Sequence, residues 1–160
     1  MAIKMTKVVT MAEAAFEELA KTVGNFPAET CGWLFQHRRS KAQFHIDAYW
    51  HDYSAISSRE FVQPQTQPLN NLLERAYMNH GLDVVGHVHS HPAHVSPART
   101  GLSLSDFAAA KSYMANFRKH QFYFMWVVQS TDDHPNLGIT PHCIHWDNIG
   151  NPSQFEIQIV

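Results

Sequence analysis

The chain is poor in cysteine, carries no excess of either charge and has no long apolar run, and each shortage removes a class of protein. Cys31 and Cys143 are the only cysteines in 160 residues and form no CxxC pair, which excludes a disulfide-stapled scaffold and a cysteine zinc ribbon. That usage suits a reducing cytoplasm, the expected compartment, with a bridge between the two thiols as the alternative. Lys and Arg total 12 against 14 Asp and Glu, a formal net charge of -2. No basic field exists to draw in nucleic acid or anionic lipid, and neither is an expected partner. No stretch approaches the roughly 18 apolar residues of a membrane span. The opening MAIKMTKVVTMAEAAFEELA lacks the apolar centre of a signal peptide and is read as a native N-terminus.

What is present fits one folded unit. Hydrophobic residues make up 44% and charged residues 16%, enough to bury a core without staples. The length suits a single domain over residues 1–160. Residues 3–10 read as a short strand. Thr10 is expected to cap a helix, with Glu13 completing a capping box and Ala12, Phe16, Leu19, Ala20 and Val23 at helical spacing. Gly24 and Pro27 are expected to stop it. Cys31–Phe35 reads as a buried strand, HRRSK as a turn, and Ala42–Trp50 as the next strand. The polar segment 51–66 reads as a loop. A second helix is expected from Pro68 to Gly81, then a strand over Asp83–His91. A loop of small residues, Ala93 to Leu102, leads into a third helix from about Ser103 to Lys119. Gln121–Gln129 is the most hydrophobic stretch and reads as a central strand, with Gly138–Trp146 and Phe155–Val160 as closing strands. The expectation is one α/β domain with a mixed or largely antiparallel sheet and helices packed on it.

Histidine is the unusual count, at 12. Most need no metal; only those at ligand spacing carry a hypothesis. In Gly86-His-Val-His-Ser-His-Pro92, strand alternation projects His89 and His91 from one side, about 7 Å apart at Cα. That bite suits one tetrahedral zinc, and Pro92 ends the strand there, exposing the pair. A catalytic zinc with two imidazoles lacks a third protein ligand, and Asp106 is the candidate, in the first turn of the third helix. Ser103-x-x-Asp106 is also a plain capping box, but no other Asp or Glu occurs between residues 84 and 131. His87 shares the face of His89 and His91, yet positions 87 to 91 span about 13 Å in a straight strand, too far for one ion. The pair beside the loop that brings Asp106 is the better choice. His87 then supports the site, lines a substrate groove, or is a packed neighbour.

The span GHVHSHP…S-x-x-D, with Pro27-Ala-Glu29-Thr-Cys-Gly32 upstream, resembles the JAMM/MPN+ metalloprotease family in its compact prokaryotic branch. Ser57-Ser-Arg-Glu-Phe-Val-Gln-Pro64 is similar to the family's stretch before its second helix, so the likeness runs from about Ala12 to Trp146. The loop from His91 to Ser103 is longer than in eukaryotic members. The resemblance implies a single-domain MPN/JAB-like (cytidine-deaminase-like) fold, a mixed β-sheet flanked by helices. It implies zinc held by His89, His91 and Asp106, with Glu29 as general base then general acid and Ser103 steadying the oxyanion. The implied reaction is hydrolysis of a peptide or isopeptide bond after the C-terminal glycine of a ubiquitin-like or sulfur-carrier-like protein, or its conjugate.

Two rival functions stand beside this one: a non-catalytic interaction module of the same fold, and a zinc amidohydrolase acting on a small-molecule conjugate. A DNA-associated relative is disfavoured by the missing basic surface and by Ser90 between the histidines. A homodimer or a partner subunit is left open. Cys31, before Gly-Trp-Leu-Phe, is expected to be a buried structural thiol.

Overall fold

Apolar runs become strands and periodic stripes become helices around one large sheet in the computed structural model, which describes residues 7–23, 30–57, 62–91, 102, 104–116, 121–129 and 138–160. Among these residues the order is β1 (Val8–Met11), α1 (Glu13–Thr22), β2 (Cys31–His37), β3 (His45–Ile46), β4 (Ala48–His51), β5 (Ile56–Ser57), β6 (Val62–Gln63), α2 (Thr66–His80), β7 (Leu82–His91), α3 (Leu104–Asn116), β8 (Phe122–Gln129), β9 (Gly138–His145), β10 (Asn148–Gln154) and β11 (Glu156–Ile159). This is the expected mixed α/β class. Six strands form the main sheet in the order β10-β9-β8-β7-β2-β4. Only β7 and β8 run parallel in it, and α3 lies in the crossover that such a pair requires. A second sheet, β11-β1-β3, is parallel throughout. No helix among the described residues is long and apolar enough to cross a membrane.

The two faces of the main sheet are filled differently. On one, Ala15, Leu19 and Val23 pack with Leu34, Tyr49, Val85, Val88, Phe124 and Trp126 in a single cluster. On the other, Leu69, Leu72 and Ala76 of α2 cover Trp33, Phe35 and Leu82, while Ala110 and Met114 of α3 cover Tyr123, Met125 and Ile144. The run Phe122–Val128 is buried along its whole length, as a central strand with both faces covered must be. Gly81 ends α2 in the left-handed region, φ 64°, and its N–H donates to the carbonyls of Ala76 and Tyr77, a geometry that favours glycine.

A β-bulge sets which way β7 faces. Phe35 pairs with Val84 but Leu34 pairs with Gly86, so Val85 is the extra residue. Leu82 and Val84 pack toward α2, whereas Val85 and Val88 join the α1 cluster. The inserted residue therefore switches the parity, and His87, which meets Trp33 and Met125, points under α2 and α3. Gly86 follows immediately, and a Cβ there would stand 2.5 Å from the Phe124 carbonyl oxygen. The close approach of β7 to β8 thus needs glycine.

Several expectations are corrected. Thr10 is not the helix cap: it lies in β1, where its Oγ1 meets His45 Nδ1 at 2.7 Å, and Ala12 stands at the N-cap with no side-chain cap bond. The strand expected over Ala42–Trp50 is split. Its first part, β3, pairs with β1, and its second, β4, with β2. Asp47 marks the change, donating its N–H to Phe35 O and accepting the His37 N–H on Oδ2 at 2.7 Å. The segment read as a loop, 51–66, contains the short β5–β6 ladder, and α2 begins at Thr66 rather than Pro68. Strand β10 was not expected from its Asn, Gly and Pro; it is a sheet edge, where such residues are tolerated. Both cysteines are buried and free, so no bridge forms. Gly24, Pro27 and residues 92–101 lie outside the described residues.

Candidate metal centre

Strand β7 carries the two histidines to the end of the sheet where α3 begins. Asp106 sits in the first turn of α3. At i+4, i+7 and i+8 from it come Ala110, Tyr113 and Met114, the residues that seat the helix on the sheet. The apolar face that anchors α3 is therefore the face that turns Asp106 toward the histidines.

The three side chains converge. His89 Nε2 and His91 Nε2 are 3.0 Å apart, His89 Nε2 is 3.1 Å from Asp106 Oδ1, and His91 Nε2 is 3.7 Å from Asp106 Oδ2. One donor atom from each lies within 4.8 Å of the others. Metal–nitrogen bonds of about 2.0–2.1 Å at tetrahedral angles put neighbouring donors ~3.3 Å apart, so these separations fit. The set of two imidazoles and one carboxylate also suits zinc and leaves a fourth position for water. His89 is buried, and His91 and Asp106 are half-buried, which places the group at a sheltered rim. Among the described residues this is the one cluster of three or more such donors able to hold an ion.

Neighbouring residues complete the frame. Cys31 lies opposite His89 across the β2–β7 ladder; burial pushes its thiol far above the usual range, with the Asp52 charge adding to the shift. It is a structural thiol, as expected. Ser90, between the histidines but on the opposite face, accepts the Thr30 N–H on Oγ at 2.9 Å, while its own N–H donates to Thr30 O at 3.0 Å. The backbone next to Glu29 is thereby fastened to β7. Glu29 and Ser103 themselves lie outside the described residues. His87 is fully buried. Burial first, and then the neighbouring His89, lower its pKa to about 3 against the opposing pull of Asp106, so it stands neutral. It stays out of the donor cluster, as the spacing argument required.

A model of the prokaryotic homologs of the JAB domain matches residues 11–135. The chain belongs to this family. In solved structures, this JAB-domain homolog is similar to a Desulfitobacterium hafniense protein determined in solution, with a TM-score of 0.66 and 20% identity over 95% of this chain and 92% of that one. That likeness concerns the fold. No curated protein matches this JAB-domain homolog.

Sequence reasoning missed two contributors to the site. Asp52, in the segment read as a polar loop, is buried and accepts the Trp33 indole N–H on Oδ2 at 3.1 Å. Tyr113 packs edge-on against Trp33 and beside His87. Neither has a local motif. Only the pairing of β4 with β2 and the seating of α3 on the sheet reveal them.

Proposed function

We propose that this JAB-domain homolog is a zinc-dependent peptidase or isopeptidase that cuts after the C-terminal glycine of a ubiquitin-like or sulfur-carrier-like protein, maturing or releasing it. The observation that carries the reading is the convergence of His89 Nε2, His91 Nε2 and an Asp106 carboxylate oxygen within 4.8 Å, a donor set with room for water. These three residues would hold the metal. When bound, zinc lowers the pKa of water to about 7 and polarises a carbonyl. The Glu29 carboxylate takes the proton from the attacking water and passes it to the leaving amine nitrogen. The Ser103 hydroxyl donates a hydrogen bond to the carbonyl oxygen as negative charge grows on it. Ser90 holds Thr30, the residue that follows Glu29 in sequence.

The test has two parts. Protein purified without chelator is expected to carry about one zinc per chain, and Asp106→Ala clearly less, by elemental analysis. A ubiquitin-like protein ending in Gly-Gly and extended by a short peptide is then incubated with wild type and Glu29→Ala. Wild type is expected to release the extension, seen by mass, and Glu29→Ala to do so about 10²–10⁴-fold more slowly. Equal cleavage by both overturns the mechanism. A chain that takes up no zinc even when supplied with it is better read as an interaction module.

A further inference from the structure

A metal-binding imidazole is ordinarily held in place through its second nitrogen, by a hydrogen bond to a carboxylate, carbonyl or water. Here His89 turns Nε2 to the cluster, and its Nδ1 is buried with no hydrogen-bond partner among the described residues. Two ring contacts flank it. On one side it meets His91, centroids 4.9 Å apart and tilted 57°. On the other it stacks on His87, at 5.6 Å and only 24° from parallel. His87 is itself held on three sides. The Trp33 indole lies 4.6 Å away, Tyr113 is at 5.7 Å, and Met125 Sδ stands 3.4 Å from Nδ1. Trp33 is fixed in turn by its N–H bond to Asp52 and by the edge-on ring of Tyr113 at 5.1 Å.

We propose that His87 is a positioning residue for the metal centre, a flat ring wedged between Trp33 and His89 that sets the orientation of His89 by stacking. Its imidazole nitrogens do no chemistry in this role: Nε2 is buried and without a hydrogen-bond partner among the described residues, and Nδ1 meets only the Met125 thioether, a weak partner. A plain aromatic ring should serve as well. The inference rests on reading His89, His91 and Asp106 as a metal centre.

Zinc affinity, measured by competition with a chromophoric chelator, separates the possibilities in wild type, Asp106→Ala, His87→Phe and His87→Leu. His87→Phe is expected to keep wild-type affinity, whereas His87→Leu, which fills the space without a flat ring, should weaken it by roughly 10–100-fold. Melting of the metal-free proteins in chelator checks folding. There His87→Phe should melt at or above wild type, since an unsatisfied buried nitrogen is removed. Equal weakening in both His87 variants, with wild-type melting, overturns the proposal and makes the imidazole itself the needed group. Wild-type affinity in both overturns it too, since stacking then orients nothing. Zinc bound no better by wild type than by Asp106→Ala defeats the metal reading, an outcome distinct from either.

Discussion

The α1 face of the six-stranded sheet and the face under α2 and α3 use the same strands, but they are filled in different ways. On the α1 side one cluster runs from Leu19 and Val23 through Val88 to Phe124 and Trp126. Its rings meet edge to face: Phe44 lies 5.0 Å from Phe122 and 4.9 Å from Phe155, and Phe124 lies 5.6 Å from Phe155, the geometry aromatic quadrupoles favour. The opposite face is broken into two apolar patches; His87 stands between Trp33 and Met125, and His89 and His91 follow it along β7. Burying polar rings costs stability, so the intact face supplies the cohesion that the divided face gives up. Alternation along β7 lets one strand serve both, with the Val85 bulge fixing which residues go where.

The largest effect that would break this contrast is on the apolar side. Phe124→Ala, at a position 1% exposed, is expected to lose about 3–5 kcal/mol in denaturant unfolding. Asp106→Ala, at the proposed metal centre, should leave metal-free unfolding nearly unchanged. A comparable loss in both would mean that the site face carries the fold after all. Gly86→Ala comes next. The added methyl runs into Phe124, and overpacking of this kind costs about 1–3 kcal/mol; unchanged unfolding would show that β7 and β8 can separate freely. The last is a pH dependence, spread over several pH units. Burial raises Cys143, in the α1 cluster, from 9.0 to about 12, against the lowering effect of Lys7. The folded chain keeps this proton where the unfolded chain gives it up. Stability is therefore intact below pH 9.0 and falls as the pH rises from there toward about 12, by up to about 1.4 kcal/mol per unit. Unfolding of wild type and Cys143→Ala across that window is expected to show a shallower slope in the variant.

Much of this arrangement was legible in the chain. The hydrophobic run Gln121–Gln129 reads as a central strand, and the His-x-His spacing, with Asp106 as its sole nearby carboxylate, points to the three residues that converge. The misreadings share one cause, which is pairing between residues far apart in sequence. Thr10 looks like a cap until His45 arrives beside it, and 42–50 looks like one strand until β1 and β2 each claim half. Asp52 is an ordinary loop carboxylate in sequence and becomes a buried acceptor only when Trp33 lies next to it. The bulge at Val85 has no sequence signature either, because Val-Val reads equally well on both faces.

The parallel sheet of β11, β1 and β3 has a kinetic consequence. Strand β1 lies between β3 and β11, with Val8 to Met11 paired to Glu156 to Ile159 and the Glu13 N–H at the start of α1 donating to Val160 O. These partners are separated by nearly the whole sequence, so closing that loop is entropically slow and leaves β1 with an open edge until residues 156–160 have been synthesised. During translation β1 must wait for β11, made far later in the chain, and in that interval its unpaired edge is open to wrong pairing with another chain.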